Sequence, residues 1–267
     1  MTKSNTNKSQ LFDAKIINHI HLNKILILYI MVIISENNTV HSKNSPYYSE
    51  DFNDNIPQEN IKLCFNFHAG QYINIILEDK VRSYSIANAF NKNNILELHI
   101  KTYTGGLMTE YLNKLLISNN PILSIDAPLG HFALNTLNNN TNNIIFACTG
   151  TGFAPIKALI ETLIQQKSSK KIYLYWGNRY ESDFYCLSDL KKWQEVLNIE
   201  IYTCVSSNDT NKKNYITTMI KEHFIDLLQY EIYASGNLNM IHDLYQIAIN
   251  LGLESNMFFS DVFIPKI

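Results

Sequence analysis

The chain has 267 residues, with 22 basic against 24 acidic side chains and a formal net charge of −2. That balance argues against a nucleic-acid-binding protein, which shows a basic excess or a clustered basic face. A hydrophobic fraction of 46% is ordinary for a globular chain, and the length suits about two domains.

The longest apolar run, Ile25 to Ile34, has ten residues. A membrane-spanning helix needs roughly 20, so a buried strand is expected there and no membrane span. The cysteines Cys64, Cys148, Cys186 and Cys204 form no C-x-x-C pair and no ferredoxin-type spacing. Each lies in or beside an apolar segment, so buried free thiols in a reducing cytoplasm are expected, without a metal site. There are only nine glycines and two arginines, Arg82 and Arg179. Scarcity makes each arginine informative, because lysine does not replace it where a planar fork must grip a phosphate or carboxylate.

In chain order, residues 1–10 form a polar tail expected to fray. Residues 11–20 and 24–34 have the Ile- and Leu-rich character of strands. Residues 35–60 are polar and Asn-rich, a loop long enough to count as an insertion. Strand signals return around 72–77, 82–87, 95–102 and 121–126, a spacing that suggests an antiparallel barrel. A helix is expected over Leu107–Ile117, with apolar residues at 107, 108, 111, 112, 115 and 116 on one face.

An Asn-rich hinge follows at 137–143. Beyond it strands and helices alternate: 144–148, helix 153–166, 171–176, helix 182–196, 199–205, helix 214–228, 231–235, helix 238–250, and 257–263. That alternation predicts a doubly wound parallel sheet with helices on both faces. The expected organisation is a β-barrel over 11–136 followed by an α/β domain over 143–267.

Five segments carry candidate chemistry. In the first, an apolar strand ends in Gly150-Thr151-Gly152 and a helix begins at once. Glycines let a backbone approach a pyrophosphate, and a helix start offers free N–H groups and a partial positive charge. Pro155 suits the first helical turn, although it stands where the full G-x-G-x-x-G fingerprint has Gly or Ala. In the second, Arg82 and Tyr84 alternate with Ser83 and Ser85 on an extended segment. An aromatic ring and a guanidinium on one face could grip a planar ring and its phosphate. In the third, His99 and Lys101 precede Gly105-Gly106 and a helix start at Thr109, another anion cradle in form. The last two are Gly177 with Arg179, and Ser235 with Gly236 and Asn237. Both follow parallel strands at their carboxyl ends, where open α/β sheets place ligands. Each segment alone is equally compatible with turn chemistry; their convergence on one edge is the stronger signal.

Taken in order, these segments resemble the ferredoxin–NADP reductase superfamily. The barrel motif R-x-Y-[ST] stands at Arg82–Ser85, the glycine-rich phosphate turn at Gly105-Gly106, and the nicotinamide-domain turn at Gly150–Pro155. The strings HAGQYI (68–73), RSYSIAN (82–88), LELHIKTYTGGLMTEYL (96–112), APLGHFAL (127–134), GTGFAPIKALIE (150–161) and LYWGNR (174–179) resemble the flavin part of CDP-6-deoxy-3,4-glucoseen reductases and their NAD(P)H–flavin reductase relatives.

The resemblance implies a flavin-binding barrel and an NAD(P)-binding α/β domain. It implies Arg82 on the flavin phosphate, Tyr84 and Ser83 beside the ring, and Ser85 hydrogen-bonded at flavin N5, the hydride acceptor. His99 and Lys101 would line the ribityl–phosphate side, with Gly105, Gly106 and Thr109 on the pyrophosphate. Gly150, Thr151, Gly152 and Pro155 would receive NADH or NADPH, and Gly177, Arg179, Gly236 and Asn237 would complete that groove. Ser85 and Ser235 are the expected catalytic positions.

FAD is the expected flavin, with FMN as the alternative. Electrons would pass to a separate iron–sulfur protein, an oxygenase or free flavin. Ser235 stands where relatives often carry Cys, and Asn211–Tyr215 lacks their G-R-x-G-like stretch. Without a cysteine cluster the chain is not expected to hold its own iron–sulfur centre. Two other functions stay open: reduction of a diffusible flavin, and a non-catalytic descendant acting as an interaction module.

Overall fold

The computed structural model describes residues 10–33, 65–78, 80–135, 143–207 and 215–262. The 35–60 insertion, Cys64, most of the 1–10 tail, most of the 137–143 hinge and residues 211–214 lie outside them.

Strands β1 (Gln10–Leu22) and β2 (Ile25–Ile33) form a hairpin. It turns at Asn23, whose φ of 57° lies in the left-handed region that Asn tolerates. Four more strands follow: β3 (Tyr72–Leu77), β4 (Lys80–Ser85), β5 (Ile95–Lys101) and β6 (Ile122–Leu129). They make a six-stranded antiparallel sheet in the order β4-β3-β6-β1-β2-β5. A bridge between Ile86 and Leu98 joins its two edges and closes the barrel. Alternate residues such as Leu26, Leu28, Ile30, Ile73, Ile75, Leu123 and Ile125 point inward and are buried. Helix α1 (Leu107–Leu116) packs Met108 and Leu112 against that core. Leu107, expected on its apolar face, is instead 39% exposed at the helix start.

The second half is a parallel sheet of β7 (Asn143–Thr149), β8 (Lys171–Asn178), β9 (Ile199–Val205), β10 (Tyr230–Ser235) and β11 (Phe258–Ser260). Its order is β11-β10-β7-β8-β9. Residues of β7 alternate between two apolar layers, as a strand buried on both faces requires. Ile144, Phe146 and Cys148 meet α2 (Phe153–Gln165) and α3 (Leu187–Val196). Ile145 and Ala147 meet α4 (Ile216–His223) and α5 (Leu238–Asn250). The barrel joins the first layer through Ile25, Ile27 and Phe132. The strand order reverses between β7 and β10, which opens a ligand crevice at their carboxyl ends.

Three elements differ from expectation. The helix expected over 182–196 begins only at Leu187, because Tyr185 drops into the core and Cys186 takes a φ of 53° that breaks the helical path. The helix expected over 214–228 ends at His223; Phe224 is extended and buried, and Leu227 N–H donates to the Leu251 carbonyl. The strand expected over 257–263 spans three residues, after a single 3-10 turn at Ser255–Met257. Among the described residues no helix is long and apolar enough to cross a membrane. Cys148, Cys186 and Cys204 are free thiols, and burial pushes all three up, Cys186 and Cys204 to about 12.

Candidate active site

A cleft of about 520 Å³ lies where the barrel meets the crevice of the parallel sheet. Strand β4 supplies one wall with Arg82, Ser83, Tyr84 and Ser85. Arg82 is exposed, and among the described residues its guanidinium donates only to the neighbouring Val81 carbonyl at 2.9 Å, so most of its fork is available. Tyr84 packs partly on the barrel core, and burial raises its phenol to about 12 against the pull of Arg82. Ser83 donates its hydroxyl to Asn74 Oδ1 across the β3–β4 pair at 2.7 Å. Ser85 has no such partner among the described residues and lines the cleft.

The second wall is the end of β5 and the start of α1. His99 lines the cleft, yet both its ring nitrogens are engaged within the protein. Nε2 lies 2.7 Å from Glu97 Oε1, and Nδ1 lies 3.0 Å from the Tyr185 hydroxyl. A carboxylate only accepts, which places the neutral ring's proton on Nε2 and makes Nδ1 the acceptor from Tyr185. Burial lowers the His99 pKa, opposed by Glu97. His99 therefore lines the cleft as expected, offering a ring face and no free nitrogen to a ligand.

Beyond Lys101 the chain turns at Gly105, whose φ of 72° lies where a side chain is strained. Gly106 N–H donates to the Tyr103 carbonyl at 2.9 Å, and Tyr103 N–H donates to Thr109 Oγ1 at 3.0 Å. The Thr109 hydroxyl thus stiffens the turn and keeps its own proton to donate. Helix α1 has no side-chain cap. Its first N–H groups and dipole form an anion cradle over a span that also holds Lys101.

The third wall is the β7–α2 turn, one 3-10 turn at Gly150–Gly152 running into an uncapped α2. A Cβ on Gly152 would lie 2.6 Å from the Ser235 carbonyl oxygen, and one on Gly236 would lie 2.5 Å from Thr149 Oγ1. The loops after β7 and β10 therefore meet backbone to backbone, and glycine is required for that approach. Trp176 Nε1 donates to the Gly150 carbonyl at 3.1 Å, and the Trp176 ring stacks on Phe153 with centroids 3.9 Å apart. These contacts hold the turn rigid from below.

A second groove of about 820 Å³ continues from this turn over Gly177, Arg179, Gly236 and Asn237. Arg179 is exposed above the Tyr180 ring, 5.4 Å from its centroid. The Asn237 side chain caps α5 by accepting from Asn239 and Met240 N–H, so it shapes the groove through the helix start. Asn178, between Gly177 and Arg179, has a buried Nδ2 with no partner among the described residues. That amide donor was missed in the sequence, where only its neighbours stood out.

Two expected residues do not reach the cleft. Pro155 is buried as the third residue of α2, where its missing N–H has no helical partner to lose. Ser235 has no exposed surface; its hydroxyl donates to Asp261 Oδ2 at 2.5 Å. The group of this pair that faces the cleft is Asp261, also missed in the sequence. Its carboxyl is raised by burial and partly restored by the Ser235 hydrogen bond.

Comparison with known proteins finds two families along the chain. The family described as the oxidoreductase FAD-binding domain matches residues 39–134, and the oxidoreductase NAD-binding domain matches residues 146–246. The chain is 36% identical over 204 residues to the CDP-6-deoxy-L-threo-D-glycero-4-hexulose-3-dehydrase reductase of Yersinia pestis. That match covers 74% of this chain and spans 60% of the relative's length. A probable flavin reductase of Photobacterium leiognathi is 27% identical, with 70% of this chain and 82% of that protein covered. In fold, the ferredoxin-NADP+ reductase from Plasmodium falciparum superposes with a TM-score of 0.70 at 20% identity, covering 95% of this chain and 96% of that one. The barrel carries an oxidoreductase FAD-binding domain, the parallel sheet carries an oxidoreductase NAD-binding domain, and together they have the fold of the ferredoxin reductases.

Proposed function

We propose that the chain is an NAD(P)H-dependent flavin oxidoreductase that moves hydride from a nicotinamide nucleotide to FAD and passes electrons to a separate acceptor. The observation that carries this reading is the shared cleft: Arg82–Ser85 of the barrel and Thr151–Gly152 of the β7–α2 turn line the same space. FAD, when bound, supplies the ring system that accepts hydride and releases electrons singly or in pairs.

The residues present fit such a group. Arg82 offers a fork to a phosphate, and the uncapped α1 start with Gly105, Gly106 and Thr109 offers N–H and hydroxyl donors to a pyrophosphate. Tyr84 gives an aromatic face, and Ser85 places a hydroxyl at the edge of that face. Lys101 and the His99 ring bound the far side. The uncapped α2 start, Gly177, Arg179 and Gly236 hold the dinucleotide; Asn237 supports that wall from the α5 cap. Ser235 acts only through Asp261. None of these groups needs to move a proton for hydride transfer. Residues 11–136 are the flavin-binding unit in this reading, and 143–267 the nucleotide-binding unit.

The acceptor in this reading is an iron–sulfur protein or an oxygenase, and the free thiols fit a reducing cytoplasm. The likeness to a probable flavin reductase favours one second reading, in which flavin is a diffusible substrate. The test is an absorbance spectrum of the purified chain from about 300 to 600 nm, repeated anaerobically after adding NADH and then NADPH. A retained flavin band bleached by either nucleotide is the expected result. Activity only with added flavin would select the second reading. Absence of both would reject oxidoreduction and leave the fold as an interaction module.

A further inference from the structure

An ionic chain, largely buried, joins the barrel to α2. Lys157 sits on the second turn of α2 and is 4% exposed. Its Nζ lies 3.0 Å from Glu97 Oε2 on the barrel strand β5, 2.5 Å from Glu161 Oε1 one helical turn on, and 3.3 Å from the Ala87 carbonyl oxygen. The other Glu161 oxygen, Oε2, accepts the Ala89 N–H at 3.0 Å. Three barrel groups, one charged and two backbone, are therefore bound to one turn of α2.

That placement is unusual for a structural ion pair. Removing these groups from water costs several kcal/mol per ion, and an apolar pair of similar volume would stabilise the fold at least as well. Apolar side chains already fill the surrounding interface, including Ile25, Ile27, Ile156 and Ile160. What a charged bridge adds is direction, because its hydrogen bonds fix distance and angle where apolar packing permits sliding. The helix so fixed is the one whose first residues form the third wall of the cleft. The other end of the chain does the same for the second wall: Glu97 Oε1 holds His99, which holds Tyr185.

We propose that Lys157 is a positioning residue, and that the Glu97–Lys157–Glu161 bridge sets the approach of the β7–α2 turn to the flavin side of the cleft. This rests on the hydride-transfer reading above. Lys157 touches neither cofactor in this account. It governs how closely the nicotinamide is presented, and leaves affinity for flavin and for nucleotide to the residues that line the cleft. A displacement of about 1 Å at a reacting pair is enough to lower a rate by about a hundredfold, so a loosened bridge should act mainly on the hydride step.

The test compares the wild type with Lys157→Met, Lys157→Arg and Glu161→Gln as full-length chains. Three quantities are read: flavin content, nucleotide affinity from titration of the long-wavelength flavin–nicotinamide absorbance, and the anaerobic rate of flavin reduction in stopped flow. We expect Lys157→Met to keep flavin content and nucleotide affinity within about twofold while reduction slows about tenfold or more, with Lys157→Arg recovering most of the rate. The intensity of the long-wavelength absorbance at saturation should fall with the rate, since it reports ring stacking and not occupancy.

Lys157→Met takes the cation from the buried Glu97 and from the partly exposed Glu161 and risks misfolding, so Glu161→Gln provides the independent arm. It retains the Lys157–Glu97 pair, takes away the charge that Glu161 presents to Lys157 and weakens the clasp on Ala89. Hydrogen exchange of the 86–90 segment, measured without nucleotide, should then quicken, and reduction should slow in the same variant. Faster exchange at Ala89 with a wild-type rate and absorbance would overturn the proposal. So would a Lys157→Met chain that loses rate and nucleotide affinity by the same factor, which is the mark of a merely structural contact. If the wild type shows no reduction by either nucleotide, the hydride-transfer reading itself fails, and that outcome is distinct from both.

Discussion

Ser235 donates its hydroxyl to Asp261 at 2.5 Å although the serine has no exposed surface and the aspartate stands at the cleft. Their direct link makes the carboxylate the functional end of the pair. Burial raises the Asp261 pKa from its ordinary 3.8. A group whose folded pKa is raised stabilises the fold most below its unfolded value, and that stability is lost as pH rises through the folded pKa. Because Asp261 is exposed as a residue, Asp261→Asn should gain only slightly in melting temperature over wild type between about pH 4 and pH 7.5, with the larger gain at the higher pH. Ser235→Ala removes the compensating donor and should lower stability at neutral pH by about 1–3 kcal/mol. Thermal melts at several pH values decide both.

Arg82 and Lys101 both face the cleft, yet they should not be equivalent. Arg82→Ala is expected to purify with little flavin, and Lys101→Ala to retain most of it, because only the guanidinium presents a planar fork. Arg82→Lys should resemble Arg82→Ala more than wild type. Flavin released by denaturation and read at its visible band measures each; equal content in the Arg82 and Lys101 variants would remove the role given to Arg82.

The glycines separate two kinds of penalty. Gly105 has open space around a Cβ, so Gly105→Ala carries only the left-handed strain of about 1–2 kcal/mol. Gly236→Ala adds a collision with Thr149 to a φ of 114° and should lower stability well beyond that. Gly152→Ala has no positive φ, so its effect isolates the contact with the Ser235 backbone. The expected order of destabilisation in urea unfolding is Gly236, then Gly152, then Gly105, with nucleotide affinity lost in the first two.

The buried His99–Glu97 pair predicts acid sensitivity. Burial lowers the His99 pKa from 6.5, and the Glu97 carboxyl is held below 4.5 by hydrogen bonds from His99 and the Lys157 charge against the effect of its own burial. For both, the folded pKa lies below the unfolded value. The stability they contribute is present above the unfolded pKa and is lost as pH falls through the folded one. Unfolding free energy should thus begin to drop below about pH 6.5 and drop faster below about pH 4.5. His99→Gln should flatten the first part of that curve, and the second should weaken to the extent that the glutamine fails to replace the hydrogen bond His99 gives Glu97.

Much of this architecture was legible in the sequence. The β7–turn–α2 unit was readable because Gly150 and Gly152 punctuate an apolar strand and a helix with a clear face. The barrel strands followed from short Ile-rich segments between polar turns. The errors arose where distant contacts override local pattern. Tyr185 and Phe224 have ordinary helix neighbours, and only their burial against other elements ends the helical path. Asp261 carried no local signal because its partner is 26 residues away in sequence. His99 was found by motif, but the engagement of both its nitrogens depends on Glu97 and Tyr185, and no spacing rule connects all three. Lys157 carried no local signal either, since its acceptor Glu97 lies 60 positions earlier.

The apolar layer beneath α2 is built from both halves, with Ile25, Ile27 and Phe132 of the barrel meeting Phe153, Ile156 and Ile160. A shared core of this kind leaves no plane along which the two units can part without wetting hydrocarbon. Heating should therefore produce one calorimetric transition instead of two, and a fragment starting at Asn143 should aggregate or bind a hydrophobic dye where the whole chain does not. The geometry of the cleft then persists until the whole molecule melts, and inactivation and unfolding become the same event.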